Sequence, residues 1–138
     1  LYARPDLVDN AVEEIIRHAS PVLHMRRTAT CDTELAGVPI SDGDKVVIFY
    51  CSANFDEAEF PDPLRFDITR DIKPPQVSFG AKGPHHCLGA PLARMEIRVL
   101  LEEMIAQRTR FEQTGPIART NSSFVNGIAR FPARVTSG

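Results

Sequence analysis

FGAKGPHHCLGAPLARMEI, residues 79–97, places a lone cysteine, Cys87, between a glycine-rich loop and the start of an apolar helix. Leu88, Gly89 and Ala90 can aim backbone N–H groups at the sulfur, and the helix start adds positive potential. Pro91 has no N–H, but it falls in the first turn, where none is needed. Such a position favours thiolate over thiol, so Cys87 reads as a nucleophile or a metal ligand. The run alone leaves a second reading open, because most free cysteines are small buried hydrophobes.

Two motifs upstream bear on that choice. Val12, Ile15, Ile16 and Ala19 recur at helical spacing and form one apolar stripe. Glu14 and Arg17 fall roughly opposite it; read alone they are a solvated i,i+3 pair worth about 0.2–0.5 kcal/mol. The second motif is Pro63-Leu64-Arg65-Phe66, after Phe60-Pro61-Asp62. Read alone, it is a proline-bounded turn.

The periodicities predict a mainly α chain with small β-sheets, an α+β fold. Residues 10–19 read as a helix, capped by Asp9 or Asn10 and ended by Pro21. Residues 26–31, 34–38 and 45–49 read as strands, with a turn at Ser41-Asp42-Gly43-Asp44 between the last two. A short helix is expected near residues 51–54. Residues 55–78 hold most of the proline and little periodicity, which in so long a stretch points to function. Helix resumes at Pro91 and runs to Gln107 or Arg108. A closing hairpin of residues 122–126 and 128–135 is expected around Asn126-Gly127. The long helix is apolar on two sides: Ala93, Ile97, Leu100, Leu101 and Met104 on one, Leu92, Met95 and Val99 on the other. A helix of that kind is buried between neighbours, and this chain offers it only one other substantial helix.

Sixteen Lys and Arg against eighteen Asp and Glu leave a net charge of −2, so no strong attraction to nucleic acid or membrane follows. No apolar run is long enough to span a bilayer. Cys31, Cys51 and Cys87 are odd in number and far apart. That argues against a disulfide framework and predicts a reducing, cytoplasmic setting.

Taken in order, Glu14-x-x-Arg17, Pro63-x-Arg65-Phe66, and Phe79, Gly83, His85, Cys87 and Gly89 followed by APLAR at 90–94 resemble the cytochrome P450 family in its bacterial soluble form. The resemblance runs along the whole chain but matches only the C-terminal portion of a member. It implies that residues 1–138 are a C-terminal fragment of one domain, lacking an N-terminal part. It further implies that Cys87 binds the iron of haem b as thiolate, with Phe79, Gly80, Leu88 and Gly89 around the sulfur face. His85 and Arg26 would meet the haem propionates, while His86 would point elsewhere and Arg27 would be solvated. Glu14, Arg17 and Arg65 would form one buried triad that pins the irregular segment beneath the haem. Val22, Phe124 and Val125 would wall a substrate pocket; His24 nearby has no assignment.

The implied function is a haem-thiolate monooxygenase that inserts one oxygen atom from O2 into an apolar substrate. Electrons would come from a ferredoxin and its reductase, docking near Lys82 and Lys73. The isolated fragment is expected not to turn over. Some positions depart from the family pattern. Phe79 stands one residue further from the cysteine than in the shortest pattern, a spacing similar to that of actinobacterial members that oxidise sterols and branched lipids. Lys82 stands where a small residue is usual, and Phe55 where many members carry a basic one. Two other readings stay open: a non-catalytic relic, and zinc or Cys–His chemistry at Cys87 with His85 or His86.

Overall fold

Val8, Ala11, Val12 and Ile16 recur at helical spacing and are buried, and they define the first helix, α1 (Val8–Ala19). A computed structural model describes the whole chain except residues 72, 74, 81 and 82. A 3-10 turn, Pro5–Leu7, leads into α1, so neither Asp9 nor Asn10 caps it; both lie inside the first turn. The helix ends where Ser20 adopts a left-handed conformation (φ 38°). The Ser20 hydroxyl donates to the Arg17 carbonyl at 2.8 Å, and its N–H donates to Ile16 at 3.1 Å. Pro21 then prevents continuation.

Strand β1 (His24–Thr28) pairs antiparallel with β4 (Lys45–Phe49), with Arg26 opposite Val47. Between them, β2 (Thr33–Leu35) and β3 (Val38–Ile40) form their own hairpin. The single strand expected over 34–38 is thus broken, because Ala36 and Gly37 both take positive φ (51° and 80°) and close a two-residue turn. The Ser41–Asp44 turn forms as expected, with Asp44 N–H donating to Ser41 O at 3.1 Å. Helix α2 (Tyr50–Asn54) follows β4 directly.

The proline-rich stretch that follows is held by turns, and it delivers the chain to the longest helix, α3 (Ala90–Ala106). One face of α3 packs on α1. The other carries Leu92, Met95 and Val99, each about half exposed. The demand for partners that the sequence places on this helix is therefore visible as an open apolar face.

The C-terminal region differs from expectation. Strand β5 (Thr109–Gln113) pairs with β8 (Ala133–Ser137), and β6 (Ala118–Arg119) pairs with β7 (Ile128–Arg130). Asn126-Gly127 is not the tip. Thr120 N–H donates to Gly127 O at 3.0 Å, so these residues sit at the base of a longer loop. The tip folds back on the segment after α1: Val125 bridges Val22, and Leu23 N–H donates to Phe124 O at 2.9 Å.

The buried core is unusually polar. Beside Val8, Ala11, Val12, Ile16, Phe60 and Ala90 it holds Glu14, Arg17, Ser20, Asn54, Gln76 and Ser78.

Candidate functional site

Glu14 and Arg17 are the centre of that polar core, 4% and 2% exposed, and not a solvated pair. The Arg17 guanidinium donates to both Glu14 carboxylate oxygens, at 2.7 and 2.8 Å. Its remaining N–H groups reach the carbonyls of Asn54 (2.8 Å) and Pro63 (3.0 Å). The Asp67 N–H donates to Glu14 at 2.9 Å. Burial alone would raise the Glu14 carboxyl; hydrogen bonds from Arg17 and Asp67 and the charges of Arg17 and Arg70 more than offset it, holding Glu14 below the usual range. The Arg17 guanidinium also stacks on Phe55 and Phe60, 5.2 and 5.4 Å from the ring centroids. Phe55 thus makes an aromatic contact with this network where a basic residue was the usual family choice.

The second guanidinium on Glu14 is that of Arg70, at 3.4 Å, and not that of Arg65. The Arg65 side chain is 69% exposed and faces Asp67 at 3.7 Å. The reason is the turn at Asp62 (φ 49°), closed by Arg65 N–H on Asp62 O at 3.1 Å. It turns the Arg65 carbonyl inward, where it accepts from Arg70 at 3.0 Å, and leaves its side chain outside. Arg70 also donates to the carbonyls of Pro61 and Asp62. The irregular segment is therefore gripped through its own carbonyls.

Asn54, fully buried, extends the brace towards the cysteine loop. Its amide donates to the hydroxyls of Ser20 (2.9 Å) and Ser78 (2.8 Å) and accepts from Val77 N–H (2.8 Å). Nothing in its sequence neighbourhood marked it; its only signal was a position just before the irregular stretch.

Cys87 is exposed, and its N–H donates to the Phe79 carbonyl at 3.0 Å, closing the loop on itself. Gly80 makes the bend at φ 84°, a conformation that favours glycine. A Cβ at Gly89 would stand 3.8 Å from the Cys87 Sγ, which puts the sulfur over the first turn of α3. Cys87 lines a cavity of about 480 Å3 together with the apolar Pro21, Val22, Met25 and Phe79, and with Ser78, Arg27, Tyr50 and His85. A neighbouring hollow of about 310 Å3 shares Arg27, Tyr50 and His85, so these three mark the border between the two.

Of the residues singled out in the sequence, Cys87, Phe79, His85 and Val22 meet at this cavity, and Gly80 lines the adjoining hollow. Arg26 does not join them; Arg27 does. Strand alternation decides this: Met25 and Arg27 share the cavity face of β1, and Arg26 is on the other. Gly89 is the residue before α3, and Leu88 is 97% exposed and outside the cavity lining. Phe124 and Val125 reach the cavity only indirectly, by docking on Val22 and Leu23. His24 packs between Phe49 and Phe124, at 5.5 and 5.9 Å, and His86 packs on Phe79 at 6.5 Å. Lys73 lies in a hollow with Glu59, Asp62, Asp67 and Asp71, and Lys82 lies outside the described residues. Tyr50 was missed, although a tyrosine directly after a strand that pairs with β1 had the position to be found.

Among the described residues no three His, Cys, Asp or Glu side chains cluster as a zinc site would require. None of the helices among them is long and apolar enough to cross a membrane.

The family model described as "Cytochrome P450" matches residues 4–130. The chain is 50% identical over 126 residues to a methyl-branched lipid omega-hydroxylase of Mycobacterium tuberculosis, a match that takes in 91% of this chain and 29% of that protein. It is 48% identical over 128 residues to a linalool 8-monooxygenase of Pseudomonas putida, covering 93% of this chain and 31% of the other. Cytochrome P450-153 from Novosphingobium aromaticivorans superposes with a TM-score of 0.94 at 42% identity, over 99% of this chain and 34% of that one. The chain thus spans less than a third of the length of these curated relatives. A cysteine loop entering a long helix, braced from α1 through an irregular segment, is matched along nearly the whole sequence and in three dimensions: the chain belongs to the cytochrome P450 family.

Proposed function

We propose that these 138 residues are the C-terminal part of a haem-thiolate monooxygenase, with Cys87 as the iron ligand. The observation that carries the reading is the cavity itself, which brings a cysteine at a helix start to a mostly apolar lining bordered by Arg27, Tyr50 and His85. Those residues fit iron protoporphyrin IX, haem b. The sulfur suits the metal, Phe79, Val22 and Met25 suit a flat apolar ring, and Arg27 and His85 suit its propionates. Haem held by a thiolate supplies dioxygen activation and insertion of one oxygen atom into a C–H bond, which is the cofactor's own chemistry.

This chain's residues do the holding. The Cys87 backbone is fixed by Phe79 O, and the irregular segment leading into the loop is fixed through Ser78 and Val77 by Asn54. Glu14, Arg17 and Arg70 keep the irregular segment in place beneath. Val22, pinned by the Phe124–Val125 tip, presents an apolar wall to the cavity and helps exclude water. An apolar, lipid-like substrate suits that lining and the activities named for the relatives; a ferredoxin with its reductase is the proposed electron source. The remainder of the domain, proposed to cover the open face of α3, would complete the pocket, so the isolated fragment is not expected to turn over.

The test is the absorption spectrum of the complete, reduced, carbon monoxide-bound protein. A thiolate-ligated signature that vanishes in Cys87→Ala is the expected result. A signature that persists in that variant rules out Cys87 as ligand.

A further inference from the structure

Glu13 and Glu14 are neighbours on α1, yet they serve different parts of the molecule. Glu14 faces the irregular segment, whereas Glu13 faces α3. There the Arg94 guanidinium donates to both Glu13 oxygens, through Nε to one and through Nη2 to the other at 3.1 Å. The same carboxylate accepts from the Gln76 amide at 3.1 Å, and Gln76 in turn accepts from the Ser78 N–H at 2.7 Å. The guanidinium carbon of Arg94 stands 4.7 Å from the centroid of the Phe79 ring. Phe79 offers its carbonyl to Cys87. One half-buried carboxylate thus secures both the segment entering the cysteine loop and the cation that covers its aromatic residue.

Burial would raise the Glu13 carboxyl, but hydrogen bonds from Arg94 and Gln76 and the charge of Arg94 outweigh it and hold Glu13 below the usual range. Glu13 is therefore a carboxylate at neutral pH, and Arg94 has a permanent partner. The arrangement suits arginine in particular. Its planar fork can bond two carboxylate oxygens while its flat face lies on a ring, and an ammonium can do neither well.

We propose that Arg94, aligned by Glu13, is a positioning residue for Cys87: it fixes the plane of Phe79 and, through the Phe79 carbonyl, the reach of the sulfur into the cavity. This rests on the reading of Cys87 as haem ligand. Arg94 acts from behind the ligand, as the outer partners of a metal site do.

The test uses the complete, haem-loaded protein. Arg94→Lys keeps the charge but loses the two-point grip and the flat contact. Its haem retention is expected to fall about tenfold, the low end for residues behind a ligand. Its reduced, carbon monoxide-bound spectrum is expected to drift from the thiolate form to the thiol form. In a Phe79→Leu background the same substitution should cost little more, since its route to the sulfur is already cut. The reduction potential gives a second, independent readout. Arg94→Gln removes a positive charge and lowers the potential, whereas Glu13→Gln frees that charge and raises it.

A purely structural prop would move both potentials the same way or not at all, and either result overturns the proposal. So does an Arg94→Lys penalty that is undiminished in the Phe79→Leu background. If Arg94→Gln fails to retain haem, the near-isosteric Glu13→Gln carries the potential measurement alone. A parent protein without any thiolate signature defeats the Cys87 reading and this proposal together. A parent with the signature, and variants that match it, defeats only the role of Arg94.

Discussion

The brace beneath the cysteine loop and the cavity beside it are made of opposite materials. In the brace, Glu14, Arg17, Asn54, Ser20 and Ser78 are buried, and among the described residues no buried side-chain nitrogen or oxygen lacks a partner. Beside the cavity, Cys87, His85 and Arg27 are exposed, and the outer face of α3 presents Leu92, Met95 and Val99 to solvent. The brace is complete within this chain, because each of its donors finds an acceptor on α1, α2 or the irregular segment. The cavity is a partial surface, with Cys87, His85 and Arg27 exposed along it. The contrast separates what this segment contributes by itself, a rigid seat, from what it presents to something else.

The sharpest way to break that contrast is to remove a cation from the seat. Arg17→Ala would leave the buried Glu14 carboxylate with the longer 3.4 Å contact to Arg70 as its remaining ion pair, and removing one partner of a buried pair costs about 3–5 kcal/mol. Denaturant unfolding of the complete protein measures it. Arg17→Lys is expected to recover only a minor part, since one ammonium cannot serve two carboxylate oxygens and the carbonyls of Asn54 and Pro63 together. A loss of less than about 1 kcal/mol would return the pair to the solvated class that its spacing alone allowed.

Asn54→Ala should come next, at about 1–3 kcal/mol, because the Ser20 and Ser78 hydroxyls and the Val77 N–H lose their common partner. Ser78 also lines the cavity, so haem retention should fall with stability. Retention that is unchanged in a destabilised Asn54→Ala protein would uncouple the seat from the cavity.

The sequence made some of this legible and hid the rest for identifiable reasons. Helical spacing revealed α1 and α3, and the glycine-bounded loop before α3 marked Cys87. The two-sided apolar character of α3 announced its open face. Strand alternation also held the answer for the cations. An apolar Met25 on the cavity face puts Arg27 there and Arg26 on the other, but choosing between adjacent arginines required the register of β1 on β4. The irregular segment has no period to read. Which of Arg65 and Arg70 turns inward depends on the φ of Asp62, a property of one turn and not of any pattern. Asn126-Gly127 suggested a tight tip, yet Val125 was drawn to Val22, and the loop opened to reach it.

Acid should probe the seat more gently than deletion does. The Glu14 carboxyl is held below its ordinary value of 4.5, so the unfolded chain takes up the proton first as pH falls. The stabilisation is therefore fully present above that value and is lost as pH drops through the lower, folded one. Glu14→Gln should flatten the dependence of stability on pH below 4.5, measured as unfolding midpoints across an acid series. An unchanged slope would mean that other carboxylates, Glu13 among them, carry the acid sensitivity.

The smallest expected effect tests the geometry most finely. Arg70 donates to three carbonyls and to Glu14 with its side chain only 12% exposed, so Arg70→Ala should cost about 1.5–3 kcal/mol, the range for hydrogen bonds to charged groups. Arg65 contributes its carbonyl to the same network, and alanine keeps that carbonyl. Its guanidinium meets only Asp67, at 3.7 Å and in solvent, and exposed pairs of this kind contribute little. Arg65→Ala is therefore expected to change stability by less than about 0.5 kcal/mol and to leave haem retention at the parental level. Arg65→Pro would sharpen the distinction, because it removes the N–H that closes the turn on Asp62. If alanine is tolerated at 65 and proline is not, the position works through its backbone. If alanine there is as damaging as at 70, the Arg65 side chain turns inward in solution and the two arginines share the carboxylate.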